Sequence, residues 1–201
     1  MNIIGPDLLV FGVDDVPACH EFLTAYGLTA REYSPETGGF YDSLDGTGLE
    51  IRRRNDPSLP PALKTGSMLR LTVLGVTDQA ALEAVAAELR KDRQVLHLAD
   101  GTMRCQDDQG FELAFQITIR KPLTIAGEKV NAPYHPARPV NALGVTQDMP
   151  AAPRTLSHLV LFVPDIDAAV YFYCGRLGFR ITDTLTGAGP FLRPQANPDH
   201  H

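Results

Sequence analysis

The chain has 201 residues, 44% hydrophobic and 21% charged, with 18 Lys+Arg against 24 Asp+Glu and a net charge of −6. That composition supports a folded core and excludes wholesale disorder. The acidic balance, relieved only by the run Arg52-Arg53-Arg54, argues against nucleic acid as the main partner. No apolar run is long enough to span a membrane, and the N-terminus lacks the basic start and apolar stretch of a secretory signal. Cys19, Cys105 and Cys174 are odd in number, dispersed and outside any CxxC, so a reducing cytoplasm is the expected location.

In chain order, Leu8–Val13 reads as a strand, Asp15 as a helix N-cap, Val16–Ala25 as a helix and Gly27 as its stop. Strands are predicted at Ala30–Ser34, Gly38–Leu44 and Gly48–Arg53, separated by glycine-bearing turns. A second, fainter copy follows. It has a strand at Met68–Leu74, a helix capped by Asp78 and running through Arg90, then strands at Gln94–Leu98, Thr102–Gln106 and Phe111–Thr118.

Arg120–Pro153 carries six prolines and reads as a linker that wraps over the surface. After it the first pattern returns. His158–Val163 reads as a strand, Asp165 as a cap, Ile166–Arg176 as a helix and Gly178 as its stop. This passage aligns with the first at an offset of 150, with one extra residue before Gly178. Ile166, Ala169, Val170 and Tyr173 share one helical face.

The chain therefore divides into a paired βαβββ domain at 1–119, a linker at 120–153, and the start of a further domain at 154–201. The fold class is α+β, with repeated βαβββ modules and curved mixed sheets. An unfinished module is expected either to lie loosely or to pair with another chain, because it leaves a sheet edge and an apolar face uncovered.

The residues His158-Leu-Val-Leu-Phe-Val-Pro-Asp165, Tyr171-Phe172-Tyr173 and Leu177-Gly178-Phe179 resemble the vicinal-oxygen-chelate superfamily of glyoxalases, bleomycin-resistance proteins and extradiol dioxygenases. Within it, the modules and the proline-bearing linker are most similar to type I extradiol ring-cleavage dioxygenases, here C-terminally truncated. The resemblance implies iron(II), with manganese(II) as the alternative metal, held by two His and one Glu. It implies a catechol-type aromatic substrate and dioxygen, no nucleic acid or membrane partner, and a homo-oligomer. His158 matches the first ligand. His201, the second of the terminal His200-His201 pair, matches the next, taken as the opening of a fourth module, and lies 43 positions later. Two neutral imidazoles and one carboxylate hold iron(II) on one face and leave positions for a chelating diol and dioxygen.

Alternation along the strand puts His158, Val160 and Phe162 on one side, so Val160 and Phe162 are the expected ring-lining residues. Leu159, Leu161 and Val163 then face the helix. The family's carboxylate ligand, its late acid–base His and its module-four Tyr and His have no counterpart in the 201 residues, so the catalytic residues stay unassigned. In the first domain Leu8 stands at the His158 position, and Glu112 matches the family's carboxylate position without two histidines beside it, so that domain is expected to be metal-free. A non-catalytic small-molecule-binding or subunit-interaction module of the same fold, and a metal-dependent isomerase or lyase, are the competing readings. His20, His97 and His135 read as structural or solvated, and the cysteines as inert.

Overall fold

The structure, a computed structural model, describes residues 1–127, 129–145 and 147–198. Strand β1 (Ile3–Val13), helix α1 (Val16–Ala25), β2 (Thr29–Ser34), β3 (Gly38–Asp42) and β4 (Gly48–Arg53) form the first module. β5 (Leu69–Val76), α2 (Gln79–Leu89), β6 (Leu96–His97), β7 (Met103–Gln106) and β8 (Glu112–Ile117) form the second. Their strands make one eight-stranded sheet in the order β2-β3-β4-β1-β5-β8-β7-β6. The two opening strands β1 and β5 pair antiparallel at its centre, and each pairs parallel with the last strand of its own module.

Three helices start in the same way. Asp15, Asp78 and Asp165 each accept a hydrogen bond from the backbone N–H three residues on, at 2.9, 2.8 and 2.9 Å. Such a bond satisfies one of the donors that every helix leaves open at its first turn. Asp165→Ala should therefore cost about 1 kcal/mol, read as a lowered denaturation midpoint, with Asp165→Asn losing much less. Gly27 and Gly178 sit past their helices at φ 99° and 77°, the left-handed conformation a C′ residue needs.

The extra residue of the third copy has a structural explanation. Its helix begins as α3 (Ile166–Val170) and continues as a π-helical turn (Tyr171–Arg176), where the N–H of Leu177 bonds to the carbonyl of Phe172. A π-turn absorbs one inserted residue without ending the helix. Beyond it β9 (Arg180–Leu185) and β10 (Gly189–Arg193) pair as an antiparallel hairpin, now 151 residues after β2 and β3.

The predicted strand at His158–Val163 does not form among the described residues. The chain there is still read out in alternation. Leu159, Leu161 and Val163 pack on Leu9, Leu69 and Phe111 of the first domain, while Val160 and Phe162 are 76% and 93% exposed. A strand is defined by its ladder, and β1 owes its ladder to β4 on one edge and β5 on the other.

The last segment is packed on its own first domain, which counts against the expectation that it lies loosely or pairs with another chain. Its helix docks on its own chain: Phe172, Tyr173 and Leu177 join Leu82, Val85 and Leu89 of α2 and Leu113 and Phe115 of β8 in one buried cluster. Arg176 is buried beside them, ion-paired to Glu88 and Asp92 and donating to the Glu88 carbonyl. The Arg93 guanidinium lies 4.8 Å over the Phe172 ring.

Candidate functional site

The internal repeat assigns equivalent positions in every module. The caps Asp15 and Asp78 set the first two modules 63 residues apart, so Leu8 on β1 corresponds to Leu71 on β5. The caps Asp15 and Asp165 set the third copy at 150, so the same position holds His158. The hairpins β3–β4 and β7–β8 carry identical turns, Asp42 facing Gly48 and Gln106 facing Glu112, which places Glu50 opposite in role to Ala114. By this register Ala114 is the counterpart of Glu50, and Glu112 the counterpart of Gly48. Glu112 instead accepts from the Gln106 amide at 2.7 Å and pairs with Arg104 at 3.6 Å.

In the first module Glu50 lies opposite Val10, two residues along the neighbouring parallel strand from Leu8. Positions 8 and 50 thus share one face of two adjacent strands. Glu50 is buried and ion-paired with Arg52. Leu8, Leu71 and Ala114 offer no donor, so the four equivalent positions of the first domain supply one carboxylate already held by an arginine.

His158 is exposed at the rim of an open cavity of about 450 Å³. The cavity lies between the 157–163 segment, α3, the β9–β10 hairpin and the first domain's sheet, and His158, Val160 and Phe162 all line it. Its floor is apolar, built from Leu74, Leu113, Tyr173 and Phe191. His200 and His201 lie outside the described residues. Among the described residues no three His, Cys, Asp or Glu side chains are grouped to hold a metal ion. His158 is therefore one donor where a two-His, one-carboxylate set needs three.

The position of the His158 segment is set by groups that sequence reasoning missed. Asp7, wholly buried in β1, accepts from Gln116 Nε2 (3.1 Å), Thr118 Oγ1 (3.0 Å) and the Ile119 N–H (3.1 Å). Its carboxylate faces Arg120 Nε at 3.5 Å. Arg120 in turn donates to Pro6 O (2.8 Å), Leu156 O (3.0 Å) and Thr155 Oγ1 (3.1 Å). The β3–β4 turn holds the same stretch from the other side. Leu44 and Asp45 N–H donate to the carbonyls of Pro153 and Arg154, and Leu156 N–H donates to Thr47 Oγ1 at 2.7 Å. Burial pushes the Asp45 carboxyl up, but hydrogen bonds from Thr47, Thr155 and Ser43 outweigh it and leave it below its usual range. Both ends of the proline-rich linker are thereby fixed at one turn, since Lys121 N–H also bonds to the Asp45 carbonyl. The one sequence signal was a charged residue, Asp7, inside the apolar run of β1.

A second buried pair ties the docked helix down. Tyr173 donates to Asp107 at 3.0 Å, and the Gln109 and Phe111 N–H groups satisfy the other carboxylate oxygen. Burial, reinforced by Asp107, holds the Tyr173 hydroxyl protonated well above its usual range. It is a packing group with a satisfied hydroxyl, not an acid–base group near neutral pH. Burial also pushes Cys105 up to about 12 and raises Cys19 and Cys174, which leaves all three as unreactive thiols. His20 stacks on Tyr33 and bonds to the Tyr41 hydroxyl at 3.0 Å, His97 contacts Arg90, and His135 takes part in a backbone bridge with Ala132.

Residues 155–201 match the Glyoxalase/Bleomycin resistance protein/Dioxygenase superfamily. The likeness of fold covers the whole chain. The structure superposes on the Mn(II)-bound glyoxalase of Novosphingobium aromaticivorans with a TM-score of 0.69 at 17% identity, covering 100% of this chain and 60% of that one. For homoprotocatechuate 2,3-dioxygenase of Arthrobacter globiformis the TM-score is 0.63 at 16% identity, over 98% and 57%. In sequence the chain is 31% identical over 191 residues to biphenyl-2,3-diol 1,2-dioxygenase of Pseudomonas sp. (strain KKS102), covering 92% of this chain. It spans 59% of that relative's length. No described helix is long and apolar enough to cross a membrane.

Proposed function

We propose that this chain is the N-terminal part of a ring-cleaving site: a divalent-metal-dependent extradiol dioxygenase acting with dioxygen on a catechol-type aromatic. The observation that carries the reading is His158. It stands at the opening-strand position where the other two modules have leucine, at the rim of an apolar cavity large enough for an aromatic ring. The 31% identity to a biphenyl-2,3-diol dioxygenase supports that substrate class. In this reading His158 and His201 are metal ligands, iron(II) or manganese(II) is the metal, and Val160 and Phe162 line the ring pocket.

The division of labour follows from placement. The 157–163 segment brings an imidazole to the cavity rim, the apolar floor takes the ring face, and the Asp7–Arg120 clamp fixes where the segment runs. The described residues supply one donor of the set, so the reading is tested on metal binding first. Titration of the chain with Co(II), followed by its visible absorption, should show binding that weakens at least tenfold in His158→Ala. If the chain binds no metal but a catechol still raises its melting temperature, the non-catalytic binding reading replaces this one.

A further inference from the structure

We propose that Tyr41, His20 and Tyr33 form a redox relay. In it Tyr41 gives an electron to a one-electron oxidant while its proton passes to His20, and Tyr33 carries the oxidising equivalent on to the surface. The three residues lie on β3, α1 and β2 of the first module. Tyr41 is wholly buried in an apolar cluster with Val13, Val16, Leu23 and Ile51. A buried phenol needs a hydrogen-bond partner, and here the partner is a base. Among the described residues the Tyr41 hydroxyl has one such partner, His20 Nδ1 at 3.0 Å. Burial, reinforced by Tyr33 and Cys19, pushes the phenol up to about 12, so it holds its proton near neutral pH. On the other side of the imidazole lies Tyr33. Its ring stacks on His20 with 3.7 Å between centroids and 12° between planes, and it is only half-buried.

An oxidised phenol is a strong acid, and an unpaired cation in an apolar shell is costly. Tyr41 therefore loses its electron only together with its proton. With the ring hydrogen on Nε2, the neutral imidazole presents Nδ1 as the acceptor. In the first step the Tyr41 O–H bond breaks, one electron goes to the oxidant, and the proton bonds to His20 Nδ1. A neutral phenoxyl radical and an imidazolium result. In the second step Tyr33 gives one electron to Tyr41 and releases its own hydroxyl proton to water, while His20 returns its proton to the Tyr41 oxygen. The net change is one electron and one proton lost from Tyr33, with Tyr41 and His20 restored. The oxidant is a diffusing one-electron acceptor such as an oxygen-centred radical. Tyr173 shows what the relay needs. It too donates to a base, Asp107, but its ring neighbours are Phe172 and Phe179, which a phenoxyl radical does not oxidise.

None of this depends on the ring-cleavage reading, and the test reads a radical rather than metal or turnover. The oxidant used is flash-generated tris(bipyridine)ruthenium(III). Competing donors are removed by Tyr26→Phe, Tyr134→Phe and Tyr171→Phe, all at exposed rings, and by Cys19→Ser. With Tyr33→Phe added, transient absorption should show a tyrosyl radical that is lost in Tyr41→Phe. Heavy water should slow its formation. His20→Gln keeps a hydrogen-bond acceptor but removes the base, and should slow formation about a hundredfold, the scale of a positioned proton acceptor. With Tyr33 restored, a nitroso spin trap should label Tyr33, located by mass spectrometry, and the labelling should fall in Tyr41→Phe. Each variant is first checked for an unchanged far-ultraviolet circular dichroism spectrum. Should His20→Gln fail that check, the heavy-water effect decides the proton step. A radical signal equal with and without Tyr41, formation indifferent to heavy water or to His20→Gln, or Tyr33 labelling unchanged in Tyr41→Phe overturns the proposal.

Discussion

Replacing Arg120 by methionine should lower the stability of the chain by about 3–5 kcal/mol, the range for removing one partner of a buried ion pair. The cause is Asp7. Its side chain is wholly buried, and without the guanidinium its charge keeps three hydrogen bonds but loses its counter-ion. The second consequence is positional. Arg120 also donates to Leu156 O and Thr155 Oγ1, so the variant frees the stretch that leads into His158. Urea denaturation should show the lowered midpoint, and limited proteolysis should cut near residues 153–157 in the variant before the parent chain is touched. The double substitution Asp7→Asn with Arg120→Met should recover part of the stability, because no uncompensated charge then remains. A variant with unchanged midpoint and unchanged cleavage would show that the clamp contributes nothing.

Phe172→Ala should cost about as much, 3–5 kcal/mol, the range for removing a fully buried aromatic ring. Phe172 is completely buried between the last helix and α2, meets Tyr173 edge-on at 5.1 Å and lies under Arg93. One cluster runs from Ile3 through α2 and β8 to Leu177, with Leu192 packed against it. The expected result is therefore a single denaturation transition at lower urea, with the slope retained. Two separate transitions in the parent chain would mean that the last module folds independently of the first domain, and the predicted cost would then fall on the second transition alone. Tyr173→Phe is the milder control. It keeps the ring in place but leaves Asp107 without its hydroxyl donor, a loss of about 1–3 kcal/mol.

Much of the fold was legible because its signals are local. The helix Val16–Ala25 was bounded by a cap aspartate and a stop glycine that act within one turn. The three Asp caps repeat the same geometry, and short apolar strands between glycine turns gave β2–β4 and β5–β8 within a few residues of their observed ends. The single-residue insertion in the third copy was visible as a change of offset, though not as the π-turn it becomes. The candidate site is carried in the sequence by a pattern: a histidine opening the third module where leucine opens the first.

By itself the sequence determined the module repeat, the capping chemistry, the helix positions and the alternation that turns Leu159 inward and Val160 outward. Each depends on neighbours within a few residues. Only the tertiary structure decided the rest. His158–Val163 has strand character, but among the described residues no ladder forms on it, because a strand needs a partner that periodicity cannot supply. The equivalence of Glu50 with Ala114 rather than Glu112 depended on hairpin register, where two residues of shift keep the same face and so leave no trace in the alternation. The Asp7–Arg120 clamp and the docking of Phe172 join groups more than fifty positions apart. Such contacts are selected by packing and desolvation, which act only once the chain has closed on itself.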